Sequence, residues 1–154
     1  MFNQYFKKEL PQLYNHFLAL DISSEMFLLD WFLSLFTTYL YYLIMTRRAL
    51  TISFRVLTDV DVIGRIWDCF LLEGEVFAIK TAIGLLKYYE LELKMIGFAS
   101  ATQFLKNPMQ IKNEKHFFDM IDSLDIQPTE FQKILEKQTV AKINTHIHQA
   151  LLVS

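Results

Sequence analysis

The sequence predicts an all-α protein, an antiparallel helical array joined by short loops, and three observations carry that expectation. Apolar residues recur three and four positions apart along most of the chain, the period that lines one face of a helix. No segment alternates apolar and polar residues long enough for a strand; Thr51 to Leu57 is the one β-branched candidate, and it is short. The four glycines and three prolines are dispersed, and read as helix stops, helix starts and close helix contacts. A chain of 154 residues suits one domain of ordinary size, and no internal repeat is visible.

The elements follow in order. Phe2, Phe6, Leu13, Phe17 and Leu20 keep helical spacing, and Pro11 can open a second helix because its missing N–H would be unpaired there anyway. Two short helices, or one broken at Pro11, are therefore expected. Ser23 and Ser24 precede Glu25, and Met26 to Phe36 is apolar on nearly every side except Asp30 and Ser34, the pattern of a buried helix. Thr58 and Asp59 are good N-cap types for a helix whose stripe would be Val60, Ile63, Trp67 and Leu71, ended by Gly74 in a left-handed conformation.

The next helix is expected to run unbroken from Glu75 to Ile96, with Lys80, Lys87 and Lys94 on one polar line and almost everything else apolar. Its apolar sector exceeds that of an ordinary surface helix, so it should pack on more than one neighbour. Gly97 closes it. A short helix from Ala99 to Lys106 precedes Pro108, and Glu114 to Leu124 follows with His116, Phe117, Met120 and Ile121 inward. Pro128 and Thr129 start the last helix, which would reach about Ala150.

Apolar residues make up 53% of the chain, with fourteen phenylalanines, which excludes disorder and low-complexity architecture. Fifteen basic against seventeen acidic side chains leave a formal charge of -2 without a long run of either sign, so no nucleic-acid footprint is present. The single cysteine, Cys69, can form neither an internal disulfide nor a cysteine zinc cluster, and a cytosolic setting is expected. No secretory signal stands in the first twenty residues. The longest charge-free stretch, Trp31 to Thr46, would be about 24 Å long as a helix and falls short of a hydrocarbon core of roughly 30 Å.

Catalytic patterns are poor. His146 and His148 are two apart on an expected helix and diverge, as do the pairs Asp59 with Asp61 and Glu90 with Glu92, so none converges on one ion or one proton. Cys69 sits among apolar residues with no histidine close in sequence and reads as a packed thiol. Gly64, Gly74, Gly84 and Gly97 are too dispersed to cradle a phosphate. No catalytic residue, metal site or cofactor is expected.

Asp30-Trp31-Phe32-Leu33-Ser34-Leu35-Phe36, followed by Arg65-Ile66-Trp67-Asp68-Cys69-Phe70-Leu71-Leu72-Glu73-Gly74, resembles the second half of a TBC domain, the Rab GTPase-activating fold. The opening Tyr5-Phe6 to Leu13-Tyr14-Asn15-His16-Phe17 resembles the helix before the family's Trp-Phe block. The segment FAIKTAIGLLKYY, Phe77 to Tyr89, resembles the long helix after the Trp-Asp block, and Ala101-Thr102-Gln103-Phe104-Leu105 with HFFDMID resembles the terminal helices. The resemblance covers about residues 1–135, interrupted once, and leaves 136–154 as a terminal helix or tail. It implies that Trp31, Phe32, Arg65, Trp67, Asp68 and Gly74 are structural signature residues, and the physical reading agrees, since Trp31 and Trp67 would both lie on buried helix faces.

The resemblance also implies a small GTPase of the Rab family as partner, a role in vesicle trafficking and a cytoplasmic location peripheral on endomembranes. In the family the first lobe supplies an arginine finger, in I-x-x-D-x-x-R, and a glutamine finger, in Y-x-Q; neither string occurs in these 154 residues. An arginine finger is worth on the order of 10³ to 10⁵ in rate. The chain is therefore expected to be inactive alone, beginning after the point where the glutamine motif would lie, with the N-terminal lobe missing or supplied elsewhere. Arg47, Arg48, Arg55 and Arg65 match neither motif. The alternative is a non-catalytic helical module binding a Rab or another partner.

A second departure is an insertion of roughly Thr38 to Arg55, TYLYYLIMTRRALTISFR, between the Trp-Phe and Arg-x-Trp-Asp blocks. It falls at a loop position yet is more apolar than loops usually are. A membrane-facing or partner-binding loop, a helix covering surface left bare by an absent lobe, and an intron translated in frame all fit it.

Overall fold

A computed structural model of the chain describes residues 1–29, 31, 60–106 and 111–137. Every regular element among them is helical: α1 (Phe2–Glu9), α2 (Pro11–Ala19), α3 (25–29, with Trp31 also helical), α4 (Val60–Glu73), α5 (Glu75–Tyr88), α6 (Glu90–Met95), α7 (Phe98–Lys106), α8 (Glu114–Asp122) and α9 (128–137). The all-α expectation holds. The segment 38–55, the start signals Thr58 and Asp59, Pro108, and the continuation of the last helix past residue 137 lie outside the described residues, as do His146 and His148.

Between α1 and α2 the chain breaks at Leu10, whose backbone (φ -133°, ψ 60°) leaves the helical region, and Pro11 takes the first helical position of α2. The Leu10 N–H still donates to the Phe6 carbonyl at 2.9 Å, and the Leu10 carbonyl accepts from Tyr14 at 2.9 Å, so the missing proline donor costs no buried bond. After α2, Asp21 adopts φ +57°, a left-handed turn that aspartate tolerates better than bulkier side chains. The entry to α3 is then fixed by the Ser24 hydroxyl, which donates to Asn3 Oδ1 at 2.6 Å.

The large core joins α1, α2, α3, α5, α6, α7 and α9: Phe6, Leu13, Phe17, Phe27, Ile83, Leu86, Leu93, Leu105 and Phe131 are all essentially sealed from water. Its rings meet mostly edge to face, as at Phe6–Phe17 (5.6 Å) and Phe17–Phe27 (6.1 Å), the arrangement favoured by the ring quadrupole. A smaller core joins α4, α5 and α8 through Val62, Ile66, Phe77, Phe117, Phe118 and Ile121. Helix α5 serves both, giving Ile79, Ala82, Ile83 and Leu86 to one and Phe77 to the other, which explains its apolar breadth. Close approach to α8 requires Gly84, where a Cβ would stand 2.6 Å from Ile121 Cγ1.

Several local expectations are corrected. The run from Glu75 to Ile96 is two helices, broken at Tyr89 (φ -106°, ψ 18°), whose ring packs edge-on against Tyr88 at 5.0 Å and Phe104 at 5.1 Å. A tyrosine carries no helix-stop signal in sequence, so nothing there marks the break. On α4 the buried residues are Val62 and Ile66, whereas Ile63 and Trp67 are half-buried and Leu71 is exposed. That helix is apolar over so much of its circumference that its partners α5 and α8 choose the inner face. In α3, Phe27 and Trp31 are buried, while Met26 and Leu29 reach solvent. On α8 the inward residues are Phe117, Phe118 and Ile121, with His116 exposed and Met120 half-buried.

Candidate functional site

Two of the residues singled out in sequence, Trp31 and Arg65, tie helices together. Trp31 is 8% exposed, tilts against Phe27 at 4.8 Å between centroids, and donates its indole N–H to the Leu105 carbonyl at 2.7 Å. Leu105 lies in the last turn of α7, where carbonyls have no partner within the helix. One side chain thus buries a large ring, satisfies its own polar atom and terminates a neighbouring helix. Phe32, beside it, lies outside the described residues.

Arg65 projects from α4 toward α8. Its guanidinium donates to Glu114 Oε1 at 3.0 Å and lies 4.2 Å from the centroid of the Phe118 ring. Glu114 sits in the first turn of α8 behind the Asn113 cap, whose side chain accepts from the His116 N–H at 3.0 Å, so the carboxylate also faces the positive end of that helix. With the pair 54% and 41% exposed, the ion pair and the cation–π contact contribute at most about 1 kcal/mol each. Arg65 is a clasp between α4 and α8. Neither Glu114 nor Phe118 was named in sequence as its partner; Glu114 could have been found as the acidic first-turn residue after a good cap.

Trp67 is half-buried and meets Phe70 edge-on at 6.1 Å, which corrects the expectation that it lies on a fully buried face. The correction has the same origin as the rotated inner face of α4. Asp68 is exposed on the same helix. Gly74 joins α4 to α5 at φ +73°, ψ -149°, a region open essentially to glycine alone; the positive φ was expected, but the conformation is the mirror of extended backbone and not a left-handed helical turn.

Among the described residues, the ionisable groups show no convergence on a reacting centre. Burial, reinforced by Glu73, pushes the Cys69 thiol up, away from the thiolate that a nucleophile requires. The Tyr5 hydroxyl is buried and raised for the same first cause. His16 Nε2 lies 3.3 Å from the Ile96 carbonyl, a contact between α2 and the end of α6. Among the described residues no three histidine, cysteine or carboxylate side chains come together as a metal site, and no helix is long and apolar enough to cross a membrane. Arg47, Arg48 and Arg55 lie outside the described residues. What the described surface does offer is apolar side chains: Leu71 and Leu72 at the end of α4, and Leu91, Met95 and Phe98 along α6 into α7, with Leu72 and Met95 each 86% exposed.

Comparison with known proteins decides the family. Residues 1–94, from the start of α1 almost to the end of α6, match the Rab-GTPase-TBC domain. The chain belongs to the TBC family. Trp31, Phe32, Arg65, Trp67, Asp68 and Gly74 all fall within the matched residues. Similar proteins include TBC1 domain family member 12 of Xenopus tropicalis, 32% identical over 117 residues that cover 75% of this chain and 14% of that protein. Drainin of Dictyostelium discoideum is 30% identical over 128 residues, 82% of this chain and 25% of its own length. TBC1 domain family member 14 of Homo sapiens is 28% identical over 126 residues, 82% of this chain and 16% of its own. The TBC chain therefore spans about a seventh to a quarter of the length of these relatives.

Proposed function

We propose that this chain is the C-terminal lobe of a Rab GTPase-activating TBC domain, with the lobe over about residues 1–135, an inserted segment near 38–55 and a terminal helix or tail from 136. The observation that carries the reading is the TBC match over residues 1–94 together with the order of the Trp-Phe and Arg-x-Trp-Asp blocks inside it. The chemistry to which it would contribute is GTP hydrolysis on a Rab-type small GTPase, at endomembranes reached from the cytoplasm. On its own it is inactive. The one signature arginine it carries in a described position is turned onto α8, bound to Glu114 and lying against Phe118, which supports a structural role for Arg65.

A lobe bearing the fingers is required for activity, encoded in the same message or provided by another chain. Sequencing the message upstream of Met1 tests it. An open reading frame continuing into I-x-x-D-x-x-R and Y-x-Q motifs is the expected result, whereas an upstream stop with neither motif in the transcript favours the second reading.

The second reading, a non-catalytic module that holds a Rab or another partner, is favoured by the exposed Leu71, Leu72, Leu91 and Met95. It predicts direct binding that Leu72→Asp or Met95→Asp weakens without loss of helical content.

A further inference from the structure

We draw no further inference here: the strongest candidate, the open groove of about 490 Å³ between α1 and α9 lined by Gln4, Tyr5, Lys8, Glu130, Ile134 and Lys137, carries nothing because Lys8 is already bound to Asp125, Glu130 opposes any anion that Lys137 would attract, and nothing in the structure shows what covers it.

Discussion

Trp31 and Trp67 look alike in the sequence, since each begins or sits within an apolar block, yet their surroundings differ. Trp31 fills a core and caps α7, so Trp31→Ala should cost about 3–5 kcal/mol. Trp31→Phe keeps most of the ring but strands the Leu105 carbonyl, at a cost of about 1–3 kcal/mol. Trp67→Ala, from a half-buried position, should cost clearly less than Trp31→Ala. Urea unfolding of the three variants checks the ranking; equal losses at the two tryptophans would contradict it. Glycines divide in the same way. Gly84→Ala drives a methyl group into Ile121 Cγ1 and should destabilise by about 1–3 kcal/mol, and by less in an Ile121→Ala background, where that carbon is gone. Gly64→Ala, in the interior of α4 with nothing within 4 Å of the new carbon, should stabilise by up to about 1 kcal/mol in the same assay.

Among the elements, α5 is the one that two cores share, so its amides should exchange with solvent more slowly than those of α6, which buries only Leu93. Hydrogen exchange read by mass spectrometry checks this, and comparable protection in the two would show that the break at Tyr89 is not a boundary of stability. The approach of α1 to the loop before α9 adds a dependence on pH. Lys8 donates to the Asp125 carboxylate at 2.8 Å and to its carbonyl at 2.9 Å, and the lysine holds the carboxyl below its ordinary range. Because the folded value is the lower one, the stabilisation is present above the ordinary carboxylate range and is lost as the pH falls through the folded value. The same contact raises Lys8, so on the alkaline side its contribution is lost as the pH climbs through the folded lysine value. Carboxyl titration by NMR should give Asp125 a depressed midpoint that returns to the ordinary range in Lys8→Met.

These elements also show what the sequence could reveal. Proline positions are local chemistry, so the division at Pro11 and the start at Pro128 were legible, as was a glycine with positive φ at residue 74. The inner face of α4 was not, because Val62, Ile63, Ile66 and Trp67 are all apolar and only the positions of α5 and α8 choose among them. The break at Tyr89 was hidden because a tyrosine carries no helix-stop signal. At the candidate site Trp31 was legible as a core residue, whereas its bond to the Leu105 carbonyl and the Arg65 clasp onto Glu114 and Phe118 depend on helices distant in sequence.

At the scale of the molecule, the half-domain proposed above would betray itself by apolar surface, and the proposed insertion by being dispensable. Deleting residues 38–55 should leave helical circular dichroism and cooperative melting intact, since the two TBC-like blocks would then join through a shorter connection; loss of both would mean that the segment is an integral packing element. The central proposal is that this chain carries the scaffold of a TBC lobe without its chemistry. Single-turnover GTP hydrolysis by a panel of Rab proteins, measured with the purified chain alone and with a finger-bearing TBC first lobe added, tests it most directly. The account predicts rates within about twofold of the intrinsic value for the chain alone, and acceleration only when the first lobe is present. Acceleration of about a hundredfold or more by the chain alone, abolished by Arg65→Ala, would contradict it.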